Sequence, residues 1–569
     1  MAGAMVVAAV AILVHANSLS NEYVLDDVPA VVENPAAHWP PDVGRIFTSN
    51  YWGNRPNYEK LTIYRPLATL SFALVDGFAP DGPEVQRAVN LLVHAGCAVL
   101  VFLLVLTLGQ VRGQMRSSVC GQEPGQATGR DLKQNHGEVQ RPATGGSASA
   151  SPESVMERAA RVAPALLCGL LFAVHPVHTE AVIGVVSRAE LLSAFFVLAG
   201  TLFYLRRLAG NRGEGRKAAL DLAVLGGLFG LALLSKENGV TLWGILLALQ
   251  LAEWVGSGGG LRRPGLRLVA LHGIMGLLLG GYLLLRSAVL PAVLGGAVPY
   301  SDNPMVGGDL VVRWLTPFKV FLTYIGLLVS PTDLSIDYSL EHFKVVRSLA
   351  DWPGWSGLIL FFGMAAAALL VARRRPSLAG LLLAFFASYS VVSNLPFLST
   401  IIMAERLIYL PSAFFLGAVA ILAQSAARSG RGAGGILAAG AVVVFAVFCA
   451  GTLFRNLEWR TPMSLYEAAV RTAPDSAKSR HLLGLELARA GRSAEALEHL
   501  GRSVAINPDN FKARTNLARA LAQTGRYDEA LEHLKTVLTQ APGHRAALDV
   551  VCGIYQVTGK PPAAARVCR

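Results

Sequence analysis

Long apolar runs without charge alternate with short polar or basic loops through most of this chain, and a 34-residue period takes over near its end. The runs at 1–13, 89–108, 163–174, 181–205, 218–234, 240–252, 266–285, 355–371, 378–392, 407–424 and 436–454 predict eleven membrane spans. The first has no small-residue cleavage site and reads as a retained span rather than a signal peptide. A further apolar stretch, 317–329, is only 13 residues long and contains Lys319, so a re-entrant or interfacial helix is expected there. Basic residues fix the orientation. Arg206, Arg207, Arg212, Arg216 and Lys217, then Arg262, Arg263 and Arg267, then Arg373, Arg374 and Arg375, then Arg428 and Arg431 all follow spans of one parity. The positive-inside rule makes that face cytoplasmic. The other face receives loops 17–87, 175–180, 235–238, 288–353 and 394–406, together with the C-terminal region.

A shift of 34 residues superposes Gly484 on Ala518, Gly491 on Gly525, Ala496 on Ala530 and Pro508 on Pro542. This is the signature of tetratricopeptide repeats, complete at 477–510 and 511–544 with partial repeats on either side. Such arrays bind extended peptide, so a protein partner is expected there. The fold class is therefore all-α: a polytopic membrane bundle over 1–455 and an α-solenoid over 456–569. Composition agrees, with 53% apolar and only 15% charged residues, which excludes a single water-soluble globule. The net charge of +12 belongs to the topology of the loops, so nucleic acid is not an expected partner. Residues 110–158, rich in Gly, Ser, Gln and Pro, read as a disordered cytoplasmic insert. Cys552 and Cys568 occupy the two helices of one repeat hairpin and are expected to form a disulfide.

Candidate chemistry collects on the outer face. Adjacent Asp26 and Asp27 repel beside a low-dielectric boundary, so one is a candidate base. His175, His178 and Glu180, followed by Arg188 and Glu190, form a second cluster. Pro176 breaks the helix that a metal site at the two histidines would need, so no metal is assigned. Lys236 and Arg406 are candidate phosphate or carboxylate partners, the alternative being structural pairing with Glu237, Glu405 or Glu190. Ionisable groups at a membrane boundary are costly and mark functional sites.

These residues also carry a resemblance. Asp26-Asp27 after a first span, Tyr64-Arg65-Pro66-Leu67, His175-Pro176-Val177-His178-Thr179-Glu180, Ser187-Arg188-Ala189-Glu190, Ser235-Lys236-Glu237, Ala404-Glu405-Arg406-Leu407 and the terminal repeats together resemble the transmembrane and tetratricopeptide repeat-containing family. Its animal members are O-mannosyltransferases acting on cadherins. The resemblance implies the C-type glycosyltransferase fold, with inverting transfer of a sugar, mannose first, from a polyprenyl-phosphate donor to protein Ser/Thr hydroxyls. It implies that Asp26 or Asp27 deprotonates the acceptor and that Lys236 or Arg406 faces the lipid phosphate. Glu237, Glu405, His175, His178, Glu180, Arg188 and Glu190 are the other expected substrate-binding residues. No resident cofactor is expected, a divalent cation being the only candidate. Forty arginines to ten lysines and the absence of Asn-x-Ser/Thr sequons point to a bacterial inner membrane with periplasmic repeats. In a eukaryote the repeats would be luminal in the endoplasmic reticulum. A transporter and a non-enzymatic scaffold are the rival readings.

Overall fold

The computed structural model describes residues 1–559 apart from 56–61, 81, 121–154, 210–215, 259–264, 292–297, 299, 301, 339–341, 429 and 431. Most of the expected insert, together with Arg212, Arg262, Arg263, Arg431 and Cys568, thus lies outside the described residues. No strand occurs among the described residues. On either side of the undescribed residues, helix continues to Cys120 and resumes at Val155.

The membrane region comprises α1 (Ala2–His15), the short α2 (Val43–Thr48) and α3 (Pro66–Asp76), then α4 (Pro83–Cys120), α5 (Val155–Ala173), α6 (Thr179–Ile183), α7 (Arg188–Phe203) and α8 (Arg216–Ser235). It continues through α9 (Thr241–Gly256), α10 (Leu266–Val289), α11 (Leu310–Val329), α12 (Trp352–Ala372), α13 (Pro376–Ser390), α14 (Tyr409–Ala427) and α15 (Ala433–Glu458). Nine helical segments among the described residues are long and apolar enough to cross a membrane. The chain is a multi-pass membrane protein. Eight of the eleven expected spans are among these nine. Another is a pair of helices, Val162–Ala173 and Pro176–Ile183, bent by 49° at His175, and two are the shorter Ala2–Ser18 and Pro376–Ser390. The expected span 181–205 begins later, at Val185, because Gly184 separates it from α6.

The remaining candidate is α11, whose 20 residues exceed the 13 read from sequence. Asp309 caps it by accepting the N–H of Val312 at 2.9 Å, and the helix runs on through Pro317. Its length permits a crossing, and near both ends it is bonded to segments that join other helices. Near its start Arg313 donates to the carbonyl of Asn394 (2.7 Å), and near its end His175 meets the carbonyl of Leu328 (3.1 Å). Packing against α12 is close: a Cβ on Gly357 would lie 1.9 Å from the Phe318 carbonyl oxygen, so only glycine fits there.

The core gathers α4 against α1, α5 and α7, and α13 against α9 and α14. Helices α10, α12 and α15 form the periphery and leave Leu277, Leu284, Leu370 and Phe454 at least 71% exposed. Such faces suit lipid, where backbone groups are already satisfied within each helix. Charges mark one end of the bundle. There Asp221 pairs with Arg207 (3.3 Å) and Arg267 (2.9 Å), while Arg206 donates to Thr107 (3.2 Å).

Beyond α15 come α16 (Pro462–Thr472) and the helix pairs α17 (Ala477–Arg489) with α18 (Ser493–Ile506) and α19 (Phe511–Gln523) with α20 (Tyr527–Gln540), followed by α21 (Arg545–Thr558). Gly491 and Gly525 turn each pair at φ of 75° and 78°, a conformation that glycine adopts without strain. Cys552 is disulfide-bonded, but its expected partner is outside the described residues. The solenoid does not hang free. Val24 and Ile183 share a core with Trp459, Leu465 and Leu483, and the N–H of Glu22 donates to the carbonyl of Arg460 at 2.9 Å.

Candidate functional site

The two adjacent acids part company at a turn. Leu25 sits at φ 51°, the left-handed region, and the N–H of Asp27 closes the turn on the carbonyl of Val24 at 3.0 Å. Asp26 is left exposed while Asp27 is wholly buried. The Asp27 carboxylate accepts the N–H of Val186 at 2.8 Å and of Val24 at 3.3 Å, tying the acid loop to the start of the α7 segment. Burial pushes Asp27 up to about 6, and the N–H bonds and the charge of Arg87 limit the rise.

A folded pKa near 6 above an unfolded value of 3.8 means that the native state binds the extra proton. Stability from this group is complete below about pH 4 and is lost as pH rises through 6, on the order of 3 kcal/mol in all. Melting profiles in detergent at several pH values should show that decline. Asp27→Asn should remove it, and an unchanged decline in that variant would contradict the assignment.

Asp26 faces a cavity of about 110 Å³ lined also by Glu180, Arg406, Asp302, Asp337, Tyr338 and Lys478. Glu180 accepts both the side chain and, at 2.9 Å, the backbone N–H of Arg406. Arg406 lies within electrostatic reach of Asp26 and Glu190 as well. Beside it is a buried pair, Lys236 with Glu190, whose second oxygen accepts from Asn238 at 2.5 Å. Lys236 in turn feels Arg65 and Arg406. Arg65 and Arg286 hold Glu237 between them at 3.3 and 3.0 Å. The result is a mixed-charge wall in which acids and bases alternate at one end of the bundle.

Sequence neighbours are not spatial partners here. Lys236 pairs with Glu190 rather than Glu237, and Arg406 with Glu180 rather than Glu405. Glu405 turns inward to Arg455 (3.5 Å) and accepts the Tyr338 hydroxyl at 3.0 Å. Neither histidine lines this cavity. His175 bonds the Leu328 carbonyl and accepts the N–H of Val177 (3.3 Å); His178 meets the Phe172 carbonyl (2.9 Å) and the Ser412 hydroxyl (2.8 Å). Both rings lie within the helix packing: His175 caps the turn at Pro176, and the bent helix pair is enclosed by α14 and α15. Arg188 is likewise internal: it donates to Asn90 (2.8 Å) and to the Gln86 carbonyl (2.6 Å), and lies 4.8 Å over the Phe72 ring. Among the described residues no group of three His, Cys, Asp or Glu side chains is arranged to hold a metal.

Sequence reasoning missed Arg65, Arg286, Asp302, Asp337, Tyr338, Arg455 and Lys478. Arg65 stood inside a quoted motif and Arg286 at the end of an apolar run, both signals that could have been used. Nothing in the repeat register singled out Lys478.

Residues 487–550 match the tetratricopeptide repeat family model. Protein O-mannosyl-transferase TMTC4 of Homo sapiens is 28% identical to this chain over 87% of it and 65% of that protein. Tmtc3 of Drosophila melanogaster is also 28% identical, over 87% of this chain and 54% of its own length, and human TMTC1 is 26% identical over the same shares. The chain thus spans about 65% or less of the length of these relatives. An all-α membrane bundle ending in tetratricopeptide repeats, the chain has protein O-mannosyl-transferases as its homologues along 87% of its sequence.

Proposed function

We propose that this protein is a membrane O-mannosyltransferase that moves mannose from a polyprenyl-phosphate donor to Ser/Thr hydroxyls of an acceptor protein. The observation that carries this reading is the cavity in which an exposed carboxylate, Asp26, faces the Arg406–Glu180 pair beside Lys236. In the proposed step Asp26 takes the hydroxyl proton as the acceptor oxygen bonds to the anomeric carbon from the face opposite the leaving group. The bond from that carbon to the phosphate oxygen breaks, and the polyprenyl phosphate leaves with the electron pair.

Arg406 and Lys236 spend one side-chain contact each on their carboxylates and keep further N–H donors for a phosphate. Arg406 is the more open of the two, with a third of its side chain exposed. Arg65 extends the same positive edge. Asp27 serves as a positioning residue. A scaffold needs no such convergence of charge, and a transporter would carry its ionisable groups near the midplane.

The catalytic unit of this reading is 1–455 and the repeat unit 456–569, with the cavity on the periplasmic or luminal face. One feature supports that orientation: Arg207 and Arg267 pair with Asp221 beyond the end of α7 opposite to Val186, whose N–H bonds Asp27. Labelling with an impermeant thiol reagent applied outside tests it. A cysteine at Arg374 should be shielded and one at Asp509 reached. The reverse pattern would invert the topology. Transfer itself is tested with purified protein, a polyprenyl-phosphate mannose and Ser/Thr peptides.

A further inference from the structure

The repeat domain contributes directly to the cavity. The first residues of α17 and its cap dock on Asp337 and Asp302: the Ser476 hydroxyl donates to Asp337 at 2.5 Å, and Lys478 Nζ lies 3.9 Å from both Asp302 and Asp337. The loop bearing Asp302 is held in turn, since its carbonyl accepts the Ile402 N–H at 3.0 Å and neighbouring Asn303 donates to Asn394 (3.0 Å) and to the Ser399 carbonyl (2.8 Å). The repeat domain and the outer loops therefore share one wall, and Lys478 and Leu482 face the same space as Asp26. The Lys478 side chain stays half exposed, so its contact with the two acids leaves it open to an incoming group.

Charge in this space does not balance. Among the described residues, four carboxylates, Asp26, Glu180, Asp302 and Asp337, line it with two cations, Arg406 and Lys478. Arg406 is engaged by Glu180, and Lys478 lies between Asp302 and Asp337. Asp302 is pushed above the usual carboxylate range by burial and, less strongly, by Asp337 and Asp26, against the pull of Lys478. An acidic segment entering here meets like charge, and a basic one is attracted.

We infer that Lys478 of the first repeat is a specificity-determining residue. The cavity selects acceptor peptides with a cation beside the Ser/Thr hydroxyl, and Lys478 sets how strong that preference is. The inference rests on the transferase reading for its biological meaning, but its test does not depend on transfer alone.

The probes are fluorescent nonapeptides with a central Ser flanked by Lys or by Glu, added to the full-length protein in detergent. Binding is read by anisotropy, and transfer from polyprenyl-phosphate mannose by mass. The Lys-flanked peptide should bind at least about tenfold more tightly at low salt, with the gap shrinking as salt rises. Lys478→Ala should widen the gap about threefold or more through acceptor affinity while leaving donor KM unchanged, and Lys478→Arg should restore it. Equal binding of both peptides, or a gap unaltered by Lys478→Ala in a protein whose melting is normal, would overturn the inference. Selective binding without transfer would uphold the inference and remove the transferase reading; transfer without charge preference would do the opposite.

Discussion

Asp26→Asn should lower mannose transfer by roughly 10²-fold or more while leaving expression and melting behaviour intact. The side chain is exposed on the cavity and makes no ion pair among the described residues, so an isosteric amide removes proton-accepting power and little else. Asp27→Asn should behave differently. One amide oxygen replaces two carboxylate oxygens, and the NH₂ group then opposes the N–H of either Val186 or Val24. Transfer should fall because the acid loop shifts, and the pH dependence of melting should change with it. Kinetics and melting of the two variants side by side separate the roles. Full activity in Asp26→Asn would move the base elsewhere, with Glu180 the next carboxylate on the cavity wall.

The second large effect concerns Lys236. Alanine there leaves Glu190, 1% exposed, as an uncompensated charge inside the protein, and about 3–5 kcal/mol of stability should be lost. That loss alone says nothing about function. Lys236→Met with Glu190→Gln removes both charges and keeps an acceptor for Asn238, so stability should return to within about 1–2 kcal/mol of the parent. If Lys236 meets the donor phosphate, donor KM should stay raised in this stable double variant. Recovery of donor KM along with stability would make the pair purely structural.

How much of this was legible follows from what each signal encodes. Apolar runs gave the membrane helices because lipid admits few alternatives to a helix. The repeat turns were readable because Gly491 and Gly525 fill positions of positive φ. Length failed at α11, where Arg313 and Trp314 masked the first turns ahead of Pro317; Asp309 as a cap was the signal to use. The acid pair was visible but its split into an exposed Asp26 and a buried Asp27 was not, since it depends on the Leu25 backbone and on an N–H supplied by distant Val186. The internal placement of His175, His178 and Arg188 was not legible, because polar side chains in apolar sequence look alike whether they face a cavity or cap a helix. Glu190 stood among the acids offered as partners for Lys236, but the Arg406–Glu180 pair joins residues far apart in sequence, a relation that one chain without covariation does not carry. Lys478 was hidden for a related reason: the repeat period fixes a helix pair but not the surface on which it docks.

The most direct test incubates purified full-length protein in lipid nanodiscs with radiolabelled polyprenyl-phosphate mannose and a Ser/Thr peptide, beside the Asp26→Asn variant. Label should appear on a peptide hydroxyl with the parent protein and fall about 100-fold or more with the variant. Absence of labelled peptide with the parent at saturating donor, or equal labelling by the variant, would contradict a transferase built around Asp26.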